Sequence, residues 1–219
     1  MSDKLTIKHV IVYIILIGIM ALMVTLLSVV DAQLISFLLD EGGVIETASA
    51  LGYFLCIALL LYMGGTTSLK SHWYLHIIFL AMALRELDFD KRFTATGVLK
   101  SKFVFADDVG LVGKVVGLSI VLIVLLSIFT WIRFHAKEFF VGIFQLKTPS
   151  WAAGFAMAFV VFTKSIDGLS RKLEPLGLAV STDVSILAGR IEEVFELGIP
   201  ILLLYAIFLY WCTPKLDKP

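Results

Sequence analysis

The sequence predicts an all-α fold, a polytopic transmembrane bundle of about six spanning helices with both termini on the same side. Three observations carry that expectation. Of the 219 residues, 59% are hydrophobic, against about 45–50% in soluble domains, and the mean hydropathy is +0.97. Apolar stretches free of charge recur along the chain, and a spanning helix needs about 20 such residues. The charges are gathered between those stretches instead of being spread along them.

A single integral membrane domain over 1–219 is expected, with spans at about 9–30, 47–66, 71–88, 112–132, 149–166 and 193–212. The first apolar stretch, 10–30, is longer than the about 7–15 residues of a signal-peptide core, so an uncleaved first helix is expected. Gly42-Gly43 breaks the chain ahead of the second span and places Glu46 in its first turn, where a carboxylate complements the helix dipole. Two spans are short. Between Lys70 and Arg85 lie 14 uncharged residues, about 21 Å of helix, against a hydrocarbon core about 30 Å thick. Between Lys147 and Lys164 lie 16, about 24 Å. The charged ends of these two helices are therefore expected inside the bundle, paired or coordinated. The 168–190 segment, with leucines among charges and Pro175, reads as lying along the interface. In the last span Pro200 removes the usual partner of the Glu196 carbonyl.

Six spans divide the loops into two faces. One holds the N-terminus, 64–72, 133–148 and the tail. It carries Lys4, Lys8, Lys70, Arg133, Lys137 and Lys147 among its cations but few acids. The other holds 31–46, 85–114 and 164–196, with fifteen of the 18 Asp/Glu and ten of the 18 Lys/Arg. The first face is expected in the cytoplasm, since its cations sit in short loops. Both termini are then cytoplasmic, in a cell inner membrane.

The acid-rich face is the candidate site. Charge at bilayer depth is costly and usually functional. Glu86 and Asp90, Asp167 and Arg171, and Glu192 and Glu196 stand four residues apart, each pair on one helix face. Carboxylates in number without His or Cys suit hard cations, so Mg, Ca or Mn is the expected cofactor. The expected metal ligands are Glu86, Asp90, Glu193 and Glu196. Glu46, Glu86 and Glu193 are the candidate catalytic carboxylates, as general base or acid. Arg85, Arg92, Lys164, Asp167, Arg171 and Arg190 are the candidate substrate-binding residues, because guanidinium suits phosphate. Metal and guanidinium beside a bilayer point to a lipid-linked anionic substrate.

Other readings compete. The same charges could form an ion-pair lock holding the helices in register. That leaves negative charge unbalanced, since acids outnumber cations fifteen to ten on this face. A cation- or proton-coupled transporter or channel needs polar residues through the bundle. The mid-span positions offer only Thr25, Ser28, Ser119, Ser127 and Thr130, though an oligomer could form a conduit. A structural or accessory subunit is the third reading. Zero net charge argues against nucleic acid. His9, His72, His76 and His135 all fall on the opposite face, at the membrane boundary, which disfavours haem and a Ser-His-Asp hydrolase. The two cysteines form no CxxC motif.

Three motifs carry a resemblance: Glu41-Gly-Gly-Val-Ile-Glu46-Thr-Ala-Ser-Ala, Arg85-Glu86-Leu-Asp-Phe-Asp-Lys-Arg92 and Glu192-Glu193-Val-Phe-Glu196. In type and order they resemble a broad set of poorly characterised bacterial polytopic inner-membrane proteins. Those carry an acidic-Gly-x-x-x-Glu start, a GEExxxxQR-like motif and a later Glu-Glu-x-x-Glu. Here Arg85 replaces the first glycine, Leu87 the second glutamate and Lys91 the glutamine. The resemblance implies bacterial origin and a shared acidic site; it implies no particular activity.

Overall fold

Charge-free stretches become helices, but their ends are set by backbone caps and not by where the charges begin. The computed structural model describes residues 4–39, 42–89 and 110–212. The elements are α1 (Ile7–Val29), α2 (Ala32–Leu39), α3 (Val44–Ser71), α4 (Trp73–Glu86), α5 (Leu111–Phe144), α6 (Thr148–Ile166), α7 (Leu169–Leu173) with a 3-10 turn (Glu174–Leu176), and α8 (Thr182–Cys212). The fold is all-α, with no strand among the described residues.

Stretches containing α1, α3, α5 and α8 are long and apolar enough to cross a membrane, and α6 with α7, bent by 69°, would make a fifth. Between the expected second and fourth spans the structure places α4, whose 14 residues reach about 21 Å, short of the about 30 Å core.

Two expected loops are helical. The 64–72 segment continues α3, which passes through a break at Gly65 (φ 58°, ψ −162°) and runs on to Ser71. The 133–148 segment is mostly the end of the 34-residue α5. Arg133, Lys137 and Glu138 are good helix formers and stop nothing. The helix stops where Leu146 turns left-handed (φ 58°). Lys147 N–H then donates to Gly142 O (2.7 Å) and Leu146 N–H to Ile143 O (3.1 Å), the paired bonds of a Schellman cap. The expected interfacial segment 168–190 is part irregular and part helix, since α8 already begins at Thr182.

The central element is α8, which packs on α6, α3 and α1. Half of its most apolar window is buried, against 17% for α1 and 11% for α5, so α1 and α5 present most of their surface outward. Glycines let α8 come close. A Cβ on Gly52 would lie 2.8 Å from Pro200 Cβ, and one on Gly64 would lie 2.9 Å from the Trp211 ring. Small residues at such crossings let helix backbones approach. The two contacts run in the same order along both helices, so α3 and α8 are parallel. His9 meets Tyr205 and Met20 meets Gly198, so α1 runs antiparallel to α8. The bundle therefore has two chemically different ends. One gathers the start of α3, the end of α4, the end of α6 and the first half of α8. The other gathers His9, His72, Tyr74, His135 and Trp211.

A candidate carboxylate site at one end of the bundle

Each acidic side chain reaches this end for a local reason. Gly43 caps α3, and Glu46 in the first turn folds back so that Gly42 N–H donates to its Oε2 at 2.5 Å. This is close to a capping box. The α4 helix ends just beyond Arg85-Glu86. Asp88 turns left-handed (φ 47°), and Phe89 N–H and Asp88 N–H donate to Leu84 O and Arg85 O, each at 3.0 Å. Asp tolerates that conformation better than most residues. The α6 helix ends at Lys164 and Asp167 because Gly168 is left-handed (φ 57°). A Cβ there would lie 2.7 Å from Arg171 Nη2.

Glu196 is the hub. It is 6% exposed. Arg85 Nη2 donates to its Oε1 at 2.9 Å, and Lys164 Nζ lies 3.2 Å from the same oxygen. Arg85 Nη1 also stands 3.9 Å from Glu86 Oε1. Lys164 Nζ donates to Asp167 Oδ2 at 3.3 Å and lies 3.7 Å from Glu192 Oε1. Two cations thus tie α4 and α6 to α8 through one carboxylate. The side chains of Arg85 and Lys164 remain 39% and 41% exposed.

Glu193 is different. It stands in the field of Glu196, Glu46, Glu192 and Glu86. No ion pair or hydrogen bond reaches its carboxylate among the described residues.

Of the expected site residues, the structure brings together Glu46, Arg85, Glu86, Lys164, Asp167, Glu193 and Glu196. Arg190 lies one turn before Glu193, with its Nε buried and unpartnered. Arg171 stays at the rim, folded over Gly168, with no ion pair among the described residues. Asp90 and Arg92, with Glu41, lie outside the described residues. No three His, Cys, Asp or Glu side chains among the described residues close on a common point as a metal cage would.

Two residues at this end had no assigned role in the sequence. Tyr53, 1% exposed, lies beside Glu86, Glu196 and Arg85. Ser49, also 1% exposed, has an unpartnered Oγ. Their signal was spacing: Glu46, Ser49 and Tyr53 stand three and four residues apart, on one face of α3.

Chemically, the arrangement offers, among the described residues, one carboxylate with no cation bonded to it, Glu193, and guanidinium and ammonium groups at the rim. No family model, curated protein or solved structure matches the chain.

Proposed function

We propose that this is a bacterial inner-membrane protein whose carboxylate end binds a divalent cation, Mg, Ca or Mn, and uses it to hold a lipid-linked anionic substrate. The observation that carries the reading is Glu193, a partly buried carboxylate set among four others with no cation bonded to it. Among the described residues, Arg85 and Lys164 bond to Glu86, Glu192 and Glu196 and leave Glu193 without a cation. A bound divalent cation would fill that place. Hard cations take carboxylate oxygens and, in the case of Mg²⁺, commonly one or two carboxylates together with substrate phosphates. The cation would polarise a phosphoryl oxygen. The half-exposed Arg85 and Lys164, with Arg190 and Arg171 nearby, would hold the anion. Glu86 is the acid available for proton transfer.

The topology proposed with it has six membrane crossings, α4 being the short one, and both termini in the cytoplasm. Support comes from Lys4, which pairs with Lys147, and from Trp211 near the end of α8, which packs at the same end of the bundle. The ion-pair lock is a second reading with its own observation, the bridging of Arg85 and Lys164 by Glu196. The two readings assign different acids and coexist.

Purified protein in detergent tests the proposal by thermal unfolding with and without Mg²⁺, Ca²⁺ and Mn²⁺, and by elemental analysis. Saturable stabilisation by one of these ions that Glu193→Gln abolishes is the expected result. Unfolding temperatures indifferent to all three, with no metal retained, would overturn it.

A further inference from the structure

Ser49 departs from the usual state of a serine in this bundle, as Ser68 does at the opposite end, away from the carboxylates. In the helices, Ser28, Ser71, Ser119, Ser127 and Ser165 each donate their hydroxyl to the carbonyl four residues back. That bond is the ordinary resting place of a serine inside an apolar helix. Ser49 Oγ makes no such bond and has no other partner, although the residue is 1% exposed. A buried hydroxyl left without a partner costs about 1–3 kcal/mol. The position of Ser49 shows what could take its lone pairs. The contacts of Gly52 with Pro200 and Gly64 with Trp211 set a near-constant register between parallel α3 and α8. Stepping back along both helices from Gly52 and Pro200 puts Glu46 level with Val194 and Ser49 level with Leu197. Glu46 and Ser49 therefore flank the turn of α8 that carries Glu193 and Glu196. Of those two glutamates, Glu196 is already held by Arg85 and Lys164, while Glu193 is not paired.

We propose that the cation seat is the α3–α8 crossing formed by Glu46, Ser49 Oγ and Glu193, and that Glu196 is a strut outside it. The inference rests on the cation-binding reading above and adds its ligands. Two carboxylates and one hydroxyl are a hard, all-oxygen donor set. Such a set needs no third acidic side chain, in keeping with the absence of a three-acid cage among the described residues. It also leaves coordination positions for water and for an oxygen of an anionic headgroup held by Arg85.

The test is Mn²⁺ titration of the full chain in detergent, followed by electron paramagnetic resonance of free Mn²⁺, on wild type and three variants. Ser49→Ala should weaken binding about fivefold, the equivalent of one lost oxygen contact. Glu193→Gln should weaken it by about a hundredfold. Glu196→Gln should weaken binding by about tenfold or less, through the loss of a neighbouring charge and not of a ligand, while lowering the unfolding temperature. Size-exclusion profiles and Trp fluorescence check that each variant is folded. Wild type that binds Mn²⁺, with Ser49→Ala and Glu193→Gln binding equally well, overturns this ligand set and leaves the cation reading standing. Folded Glu196→Gln losing as much affinity as Glu193→Gln also overturns it. Wild type that binds no Mn²⁺, and whose unfolding temperature Mg²⁺ and Ca²⁺ leave unchanged, ends both.

Discussion

The two ends of the bundle are built on opposite principles. At the histidine end polar groups meet in hydrogen-bonded pairs. Tyr74 Oη and His135 Nε2 are 2.5 Å apart, His9 Nδ1 and Tyr205 Oη 2.6 Å, and His76 Nδ1 and His72 O 3.0 Å. Aromatic contacts tie them together: His72 stacks on His135 and meets Trp211 edge-on. At the carboxylate end, among the described residues, Arg85 and Lys164 bond to Glu86, Glu192 and Glu196, while no cation is bonded to Glu193. The histidine end has unpartnered atoms too, Ser68 Oγ and His76 Nε2. Unpaired charge is far more costly to bury than an unpaired hydroxyl. The comparison supports the proposal that one end clasps the helices and the other binds a ligand.

Substitutions can break or sharpen that contrast, each read by thermal unfolding of purified protein followed through Trp fluorescence. The largest effect is expected at the crossing both ends depend on. Gly52→Leu forces bulk onto Pro200 and should cost about 3 kcal/mol, with loss of the monodisperse size-exclusion peak. Unchanged stability would refute the α3–α8 register. Glu196→Gln releases Arg85 and Lys164 at once. Their half-exposure places the cost at about 2 kcal/mol, between that of a buried and a surface pair. A neutral result would show that Glu196 is no strut. Tyr74→Phe removes the hydrogen bond to His135 and should cost about 1 kcal/mol without altering cation response. If cation response changed, the two ends would not be independent. Glu193→Gln removes a like charge and should leave the cation-free protein as stable or up to about 1 kcal/mol more stable. A clear loss of stability would mean that Glu193 is paired after all. Arg171→Ala, at the exposed rim, should stay within about 0.5 kcal/mol.

The sequence made the site's residue types legible because charge inside an apolar chain is conspicuous. Glu46, Arg85, Glu86, Lys164, Glu193 and Glu196 are named by that rule alone, and they do gather at one end. Who pairs with whom was not legible. That Arg85 and Lys164 both choose Glu196 and leave Glu193 depends on the rotation of α8 about its axis, which Gly52, Gly198 and Pro200 set through contacts far apart in sequence. Charge also misled where it was used to mark helix ends. Arg133 and Lys137 sit well inside α5 because helix ends are made by caps such as the left-handed Leu146. Ser49 and Tyr53 were hidden by their own ordinariness, being single polar residues in an apolar run.

The central claim is a cation held at the carboxylate end. Anomalous diffraction at the manganese edge, from crystals grown with Mn²⁺, tests it most directly. A peak between α3 and α8 beside Glu193, lost in Glu193→Gln crystals, is the predicted result. No peak in Mn²⁺-saturated crystals, or a peak only beside His72 and His135, would contradict it.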